Sequence, residues 1–216
     1  KRGDVAAADL AGSVLAVPPL ARNGDLSLTP HANRALIEHL QQGGVSTLMY
    51  GGNANFYNIG LYEYASVLDF LAEAVAPQTW VIPSAGPDYG KLIDQARVMR
   101  ERDFPTAMVL PVGFPSTADG VERGIGAFAD AFGRPVLVSI QHDGSLTPAH
   151  VERIATSGAV AAIKYAIVRA NPAVDPFLAE LVQRVDRTRI VSGIGERPAI
   201  VHLRDFGLQA FTSGSV

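Results

Sequence analysis

The chain has no cysteine among its 216 residues. That excludes disulfides, thiolate metal sites and a cysteine nucleophile, and it fits a reducing, cytoplasmic setting. No apolar run approaches the roughly 20 residues that a membrane-spanning helix needs. The opening stretch, residues 1–17, puts basic residues before an apolar run, but Asp4 and Asp9 interrupt it and Pro18-Pro19 follow, which reads against a signal peptide. Charge is scarce: 18% of residues are charged and the net charge is −3, so no strong attraction to nucleic acid or to an anionic membrane is expected. Histidines at ligand spacing are missing too. His31, His39, His142, His150 and His202 form no HxH or HxxxH pair, so neither a metal site nor a cofactor is expected. His39 and His150 fall on predicted helices and are expected at the surface.

What is present is a repeated unit: a short apolar run, a loop rich in glycine and proline, then a longer segment with helical spacing. With 48% hydrophobic residues the chain can fill a sizeable core. Strands are predicted at Gly12–Val17, Val45–Tyr50, Trp80–Pro83, Thr106–Leu110, Val136–Ile140, Val160–Ile163 (ending at Lys164), Arg189–Ser192 and Leu208–Thr212. Helices are predicted at Pro30–Gln42, Tyr62–Ala74, Tyr89–Glu101, Gly120–Phe132, Pro148–Ser157, Pro176–Val185 and Pro198–Asp205. Thr29 and Thr147 stand at N-cap positions, each with proline at the first helical residue. Eight strands alternating with seven helices, with no break in composition, predict one α/β domain, a (β/α)8 TIM barrel over residues 1–216. Such barrels usually close with a further helix and need about 250 residues, so the expectation is a barrel truncated after strand eight.

A barrel builds its site at the C-terminal ends of its strands. The candidates are then Pro18, Gly51 to Asn55, Ser84, Pro111, Ser139, His142, Lys164, Gly193, Glu196 and Ser213. Lys164 stands out because Ala-Val-Ala-Ala-Ile precedes it and Tyr-Ala-Ile-Val comes after it. An amine in such surroundings is penalised in its charged form, and the neutral form attacks carbonyls to give imines. The plainer reading is a strand-end lysine reaching into water or pairing with a carboxylate. Tyr165 points to the opposite face by strand alternation and is expected to pack on a helix. Glu196 reads as an exposed loop carboxylate. Gly193-Ile194-Gly195 and Ser213-Gly214-Ser215 come after the last two strands, where many barrels cradle phosphate, or where glycine simply permits tight turns.

The whole chain resembles the dihydrodipicolinate synthase / N-acetylneuraminate lyase family of pyruvate-dependent Schiff-base aldolases. Gly12–Leu20 with Asn23-Gly24-Asp25-Leu26 resembles the family's opening strand, turn and "DGxID". The run from Gly51 to Ile59 resembles its "GTTGE" loop and the residues just after that loop. Ile82-Pro83-Ser84-Ala85-Gly86 resembles its third-strand "IAGxG", and Val109-Leu110-Pro111 its "VxPP". Ala161 to Ala166 resembles "xGIKxx", whose lysine is the Schiff-base residue. Val191-Ser192-Gly193 and Phe211-Thr212-Ser213 match the ends of its last two strands.

The resemblance implies that Lys164 is the imine-forming residue and that Gly51, Gly52, Asn53, Ala54, Asn55 and Gly193 bind a small 2-oxo acid. It also implies a homodimer or a homotetramer built from dimers. The departures are specific: the "GTTGE" threonines fall on Asn53 and Ala54, the fifth-strand tyrosine on Ser139, a second tyrosine near Gly113-Phe114, and the next arginine near Gly144. A proton relay would pass to Ser139 or His142, with Tyr50, Tyr57 and Tyr165 as further carriers, and His142 suits neutral pH best. A solvated loop histidine beside Asp143 is the plainer account of His142. The expected function is a Schiff-base lyase or aldolase on pyruvate or another 2-oxo acid, with no part for nucleic acid or membrane. True 4-hydroxy-tetrahydrodipicolinate synthase activity is not expected. An inert paralogue that binds a small acid, and a phosphosugar-binding barrel enzyme, are the alternatives.

Overall fold

The computed structural model describes residues 3–113 and 115–214. Phe114 and Ser215 lie outside the described residues, so the readings that fall on them stop there. Among the described residues eight parallel strands close into a barrel in sequence order. They are β1 (Leu15–Ala16), β2 (Thr47–Tyr50), β3 (Trp80–Ala85), β4 (Met108–Val109), β5 (Val136–Ile140), β6 (Val160–Tyr165), β7 (Ile190–Ser192) and β8 (Ala210–Ser213). A short helix, α1 (Ala7–Leu10), precedes the ring. Seven helices lie between the strands: α2 (Pro30–Gln42), α3 (Leu61–Ala74), α4 (Tyr89–Arg100), α5 (Ala118–Phe132), α6 (Pro148–Thr156), α7 (Pro176–Arg184) and α8 (Glu196–Phe206). No helix among the described residues is long and apolar enough to cross a membrane.

The predicted alternation therefore holds, and the differences are local. β1 is shorter than Gly12–Val17 because Ser13 turns away from the ladder: its hydroxyl donates to the Val14 carbonyl and accepts the Ser46 amide. β3 runs two residues past Pro83. Up to that proline it pairs with β2, while Ser84 and Ala85 pair with β4. The proline, which lacks a donor, thus sits where the strand changes partner. β4 shrinks to two residues, although bonds from the Leu137 amide to the Ala107 carbonyl and from the Leu110 amide to the Ala85 carbonyl carry the pairing beyond both ends. α8 begins at Glu196 rather than at Pro198, because the first helical turn needs no intrahelical N–H donors and accepts proline. Thr29 holds the N-cap position of α2, but its hydroxyl donates to Asn23 and caps nothing. The Thr147 hydroxyl does accept the His150 amide.

Residues paired in parallel register point to the same face. Tyr165 packs on Phe177 of α7 and His202 of α8, with ring centroids 5.9 Å away in each case, so its face looks toward the helices. Lys164 therefore faces the barrel axis, together with its partners Ser139 and Val191, and Ala210 beyond Val191. Behind this row the buried carboxylate of Asp175 accepts the Tyr165 hydroxyl at 2.5 Å, caps α7 through the Leu178 amide and pairs with Arg169 at 3.1 Å. Arg169 grips Asp143 in the loop after β5 with two bonds, of 2.6 and 2.7 Å. Two loops of the barrel mouth are clasped together by this chain. Replacing Asp175 with alanine removes a cap and strands a buried phenol hydroxyl, so unfolding free energy should fall by about 2–4 kcal/mol. Urea denaturation measures this; a change under about 1 kcal/mol would deny the clasp its structural part.

Candidate functional site at the barrel mouth

Lys164 is half-buried at the C-terminal end of β6. Its ammonium makes no hydrogen bond or ion pair with any described residue. Burial, with no opposing charge to offset it, lowers its pKa to about 8. Room for the side chain depends on Gly193. A Cβ built there would lie 2.7 Å from Lys164 Cγ and 2.9 Å from the Tyr165 carbonyl oxygen. Gly193 is one of the residues the sequence singles out for substrate binding, and what its geometry does directly is make space for the lysine.

Ser139 stands beside Lys164 across the β5–β6 ladder, 4% exposed, and its hydroxyl has no hydrogen-bond partner. Ser84 of β3, fully buried, carries a second such hydroxyl. In register Ser84 pairs with Met108 and Met108 with Leu137, two residues before Ser139, so it too faces the axis. The sequence places Ser84 at a strand end but carries no signal that its hydroxyl is orphaned. That comes from the register alone.

The loop after β2 folds back on itself. The Asn55 and Phe56 amides donate to the Gly52 and Gly51 carbonyls, and Asn55 takes a left-handed φ of 56°, which asparagine tolerates better than most residues. Asn53 and Asn55 are exposed, while Gly51 and Ala54 are buried. The Asn53 side chain donates to the Val17 carbonyl at 3.0 Å, so it ties the loop to the end of β1. The amides of Gly52, Asn53 and Ala54 donate to no described residue, which leaves three backbone donors in succession.

From the same loop the Tyr57 hydroxyl reaches across the mouth and donates to Gln141, two residues beyond Ser139, at 3.5 Å. Burial raises the pKa of this phenol. Lys91 holds its backbone by donating to the Tyr57 carbonyl at 2.8 Å. His142, by contrast, lies on the exposed turn after β5, where its carbonyl accepts the Ser145 hydroxyl. Tyr50 and Tyr165 are both fully buried, and burial raises both phenols, with Asp175 adding to the effect at Tyr165.

Other candidates fall elsewhere. Glu196 starts α8, is exposed and accepts a hydrogen bond from Ser213, which lowers its pKa. A carboxylate already stands at the helix N-terminus where a phosphate would bind. His39 is exposed, and the His150 side chain, 15% exposed, bonds Asp119 and Thr147. Asp119, Glu122 and His150 bring ligand-type atoms within 4.8 Å of one another, but the Arg153 guanidinium already binds Glu122 at 2.6 Å. His202 is buried beneath Tyr165, with Nδ1 2.8 Å from the Ser192 hydroxyl, and burial lowers its pKa.

No family model matches the chain, and no curated protein matches it. Solved structures do. Dihydrodipicolinate synthase from Bacillus clausii superposes with a TM-score of 0.83 at 21% identity, over 96% of this chain and 70% of that one. YagE from Escherichia coli K12, a prophage protein of the dihydrodipicolinic acid synthase family solved with pyruvate, gives 0.77 at 19%, over 93% and 69%. The 4-hydroxy-tetrahydrodipicolinate synthase of Methylacidiphilum fumariolicum gives 0.78 at 14%, over 94% and 68%. The fold is thus the (β/α)8 barrel of the dihydrodipicolinate synthase structures, and this chain spans about 70% of their length.

The lysine's setting has two measurable outcomes. Its pKa is depressed in the folded state, so the charged amine destabilises the fold below pH 8, and the penalty fades between pH 8 and 10.5. Lys164→Met should therefore stabilise the protein at pH 7, by about 1–3 kcal/mol, with a smaller gain at pH 10. Thermal unfolding at the two pH values tests the sign. Gly193→Ala should displace the lysine and cost about 1–3 kcal/mol through overpacking, read by the same melts; an unchanged melting temperature would contradict the crowding.

Proposed function

We propose that the protein is a Schiff-base lyase acting on pyruvate or another 2-oxo acid. The observation that carries the reading is an axis-facing amine at the mouth of the barrel with no carboxylate partner. Similarity in fold to the dihydrodipicolinate synthases, and to a protein of that family solved with pyruvate, supports it. The neutral Lys164 nitrogen attacks the 2-oxo carbon to give a carbinolamine, water leaves, and the protonated imine draws electrons so that a neighbouring carbon–carbon bond is made or broken. The free amides of Gly52, Asn53 and Ala54 are suited to the substrate carboxylate, with Gly51 and Asn55 shaping the turn around them. Ser139, in register with the amine, carries a hydroxyl that no described residue engages.

Proton transfer falls to Tyr57 more readily than to His142. The phenol reaches in over the row that holds Ser139 and Lys164, and its raised pKa keeps it protonated as a donor. The different relay, with serine where the resembling family has tyrosine, argues for a 2-oxo acid reaction other than tetrahydrodipicolinate synthesis.

Incubation with pyruvate and borohydride, then peptide mapping, tests the reading. A reduced pyruvyl adduct is expected on Lys164, absent in Lys164→Met, with a trapping rate that rises with pH and levels off above about 8. An adduct spread over surface lysines, or none, would overturn it. An adduct with no cleavage or addition on any 2-oxo acid would favour the inert, acid-binding reading. Tyr57→Phe should lower turnover by about 100-fold or more while leaving the adduct in place, since general acid–base groups contribute roughly 10²–10⁴.

A further inference from the structure

A side-chain bridge crosses the barrel mouth from the Tyr57 hydroxyl, in the loop after β2, to Gln141, just past β5. At 3.5 Å it is too long to fix the phenol by itself, so the phenol's place depends on how firmly each end is mounted. The Tyr57 end is mounted twice. Phe56, its neighbour, is buried against the rings of Tyr50 and Tyr64, and Lys91 donates to the Tyr57 carbonyl at 2.8 Å. The Gln141 end is mounted from the loop after β6. On one side of Gln141 the Ile140 carbonyl accepts the Ala166 amide at 2.8 Å. On the other side Asp143 takes two bonds from Arg169, which belongs to that same loop. Arg169 is oriented in turn by Asp175, 3.1 Å away, whose side chain is fully buried.

Stability does not account for the Asp143 half of the clasp. Asp175 alone caps α7 and receives the Tyr165 hydroxyl. Asp143 adds an ion pair whose carboxylate side chain is 58% exposed, and pairs so exposed contribute little to folding. What two parallel bonds from a planar guanidinium do supply is a fixed direction. We propose that Asp143 and Arg169 are positioning residues of the proposed lyase: they hold Gln141 so that the Tyr57 phenol stays over Ser139 and Lys164 during proton transfer. The inference rests on the Schiff-base reading for the reaction step, but the mounting of Tyr57 can be measured without it.

The test has two arms on the intact chain. The first gives the protein pyruvate alone in D2O and monitors exchange of the methyl protons by NMR. In that step a methyl C–H bond of the protonated pyruvyl imine breaks, its pair becomes the C=C bond of an enamine, and the imine π pair passes to nitrogen. The Tyr57 oxygen takes the proton while handing its own to water, and the reverse step leaves a C–D bond. Asp143→Ala should slow exchange at saturating pyruvate by about tenfold or more, since a slightly misplaced group can cost about 100-fold. The half-saturating pyruvate concentration and the rate of borohydride trapping on Lys164 should not change. In a Tyr57→Phe background Asp143→Ala should cost no further exchange, whereas a loss that is merely structural would repeat in full. The second arm uses protein labelled with 3-fluorotyrosine, without pyruvate. Of its six tyrosine signals, that of Tyr57 is assigned by its disappearance in Tyr57→Phe, and Asp143→Ala should move it. A circular dichroism melt checks the fold. Should Asp143→Ala melt early, Asp143→Asn, which keeps the shape of the turn and removes the charge, replaces it.

If the Tyr57 signal ignores Asp143→Ala, or the exchange loss persists in full without the phenol, the positioning role falls, and a pyruvyl adduct on Lys164 leaves the lyase reading standing. If the parent protein gives neither adduct nor exchange, the lyase reading falls; a Tyr57 signal that still moves in Asp143→Ala upholds the mounting, and one that stays overturns it.

Discussion

The site depends on holding an amine against an apolar wall with no counter-charge in reach. Water would hydrate the ammonium and a carboxylate would neutralise it, and either would return the group to its ordinary basicity. The structure half-buries the amine and sets no carboxylate beside it. Val191 and Ala210 continue the row on one side of Lys164, and the absent side chain at Gly193 leaves a slot for the stem. The acidic groups that the neighbouring loops bring close are committed elsewhere. Asp143 is taken by Arg169, and Asp175 by Arg169, Tyr165 and the cap of α7. The clasp behind β6 therefore has an electrical consequence as well as a mechanical one, because it keeps carboxylates occupied on the far side of the strand from the amine.

Such an arrangement works against stability, since a charge kept partly dry is a standing penalty on the folded state. Other layers offset it. The helix-facing side of the strands is closed by Tyr165 in ring contact with Phe177 and His202, and by Tyr64, whose hydroxyl donates to the Ser84 carbonyl. The orphaned hydroxyls of Ser84 and Ser139 lie on the axis side, that of Ser139 in register with the lysine, so unsatisfied polarity and low polarity meet within the barrel. Sites that bind and transform carbonyl compounds need both: donors aimed at oxygen, and surroundings dry enough to make those donors effective.

Much of this was legible in the sequence. Apolar runs ended by glycine and proline, alternating with segments of helical spacing, placed every strand and every intervening helix, and the apolar neighbours of Lys164 marked a lysine that the fold half-buries on the axis side of β6. β5 was placed to the residue. Boundaries differ where a side chain competes with the backbone ladder, as Ser13 does, or where proline lies inside an element rather than at its edge, at Pro83 and Pro198. α1 escaped notice because it is a single turn with no side-chain cap. The site was legible as positions rather than contacts. Asn53 reads as a carboxylate ligand in the sequence, yet its side chain is spent on Val17. Tyr57 looks like one loop aromatic among several, and only the closed ring brings it over Gln141. The union of Arg169 with Asp143 and Asp175 joins residues from two loops, and no local pattern encodes it.

The ring is not equally strong around its circumference. β5 and β6 share five paired positions, whereas β1 contributes two residues to each of its neighbours. Transient loosening of a closed sheet begins where the fewest bonds must break, and the two-residue pairings of β1 and of β4 resist it less than the β5–β6 ladder that carries Lys164 and Ser139. The lysine is thus mounted on the most extensively paired seam of the ring. Give elsewhere in the ring leaves the spacing of Lys164 and Ser139 unchanged.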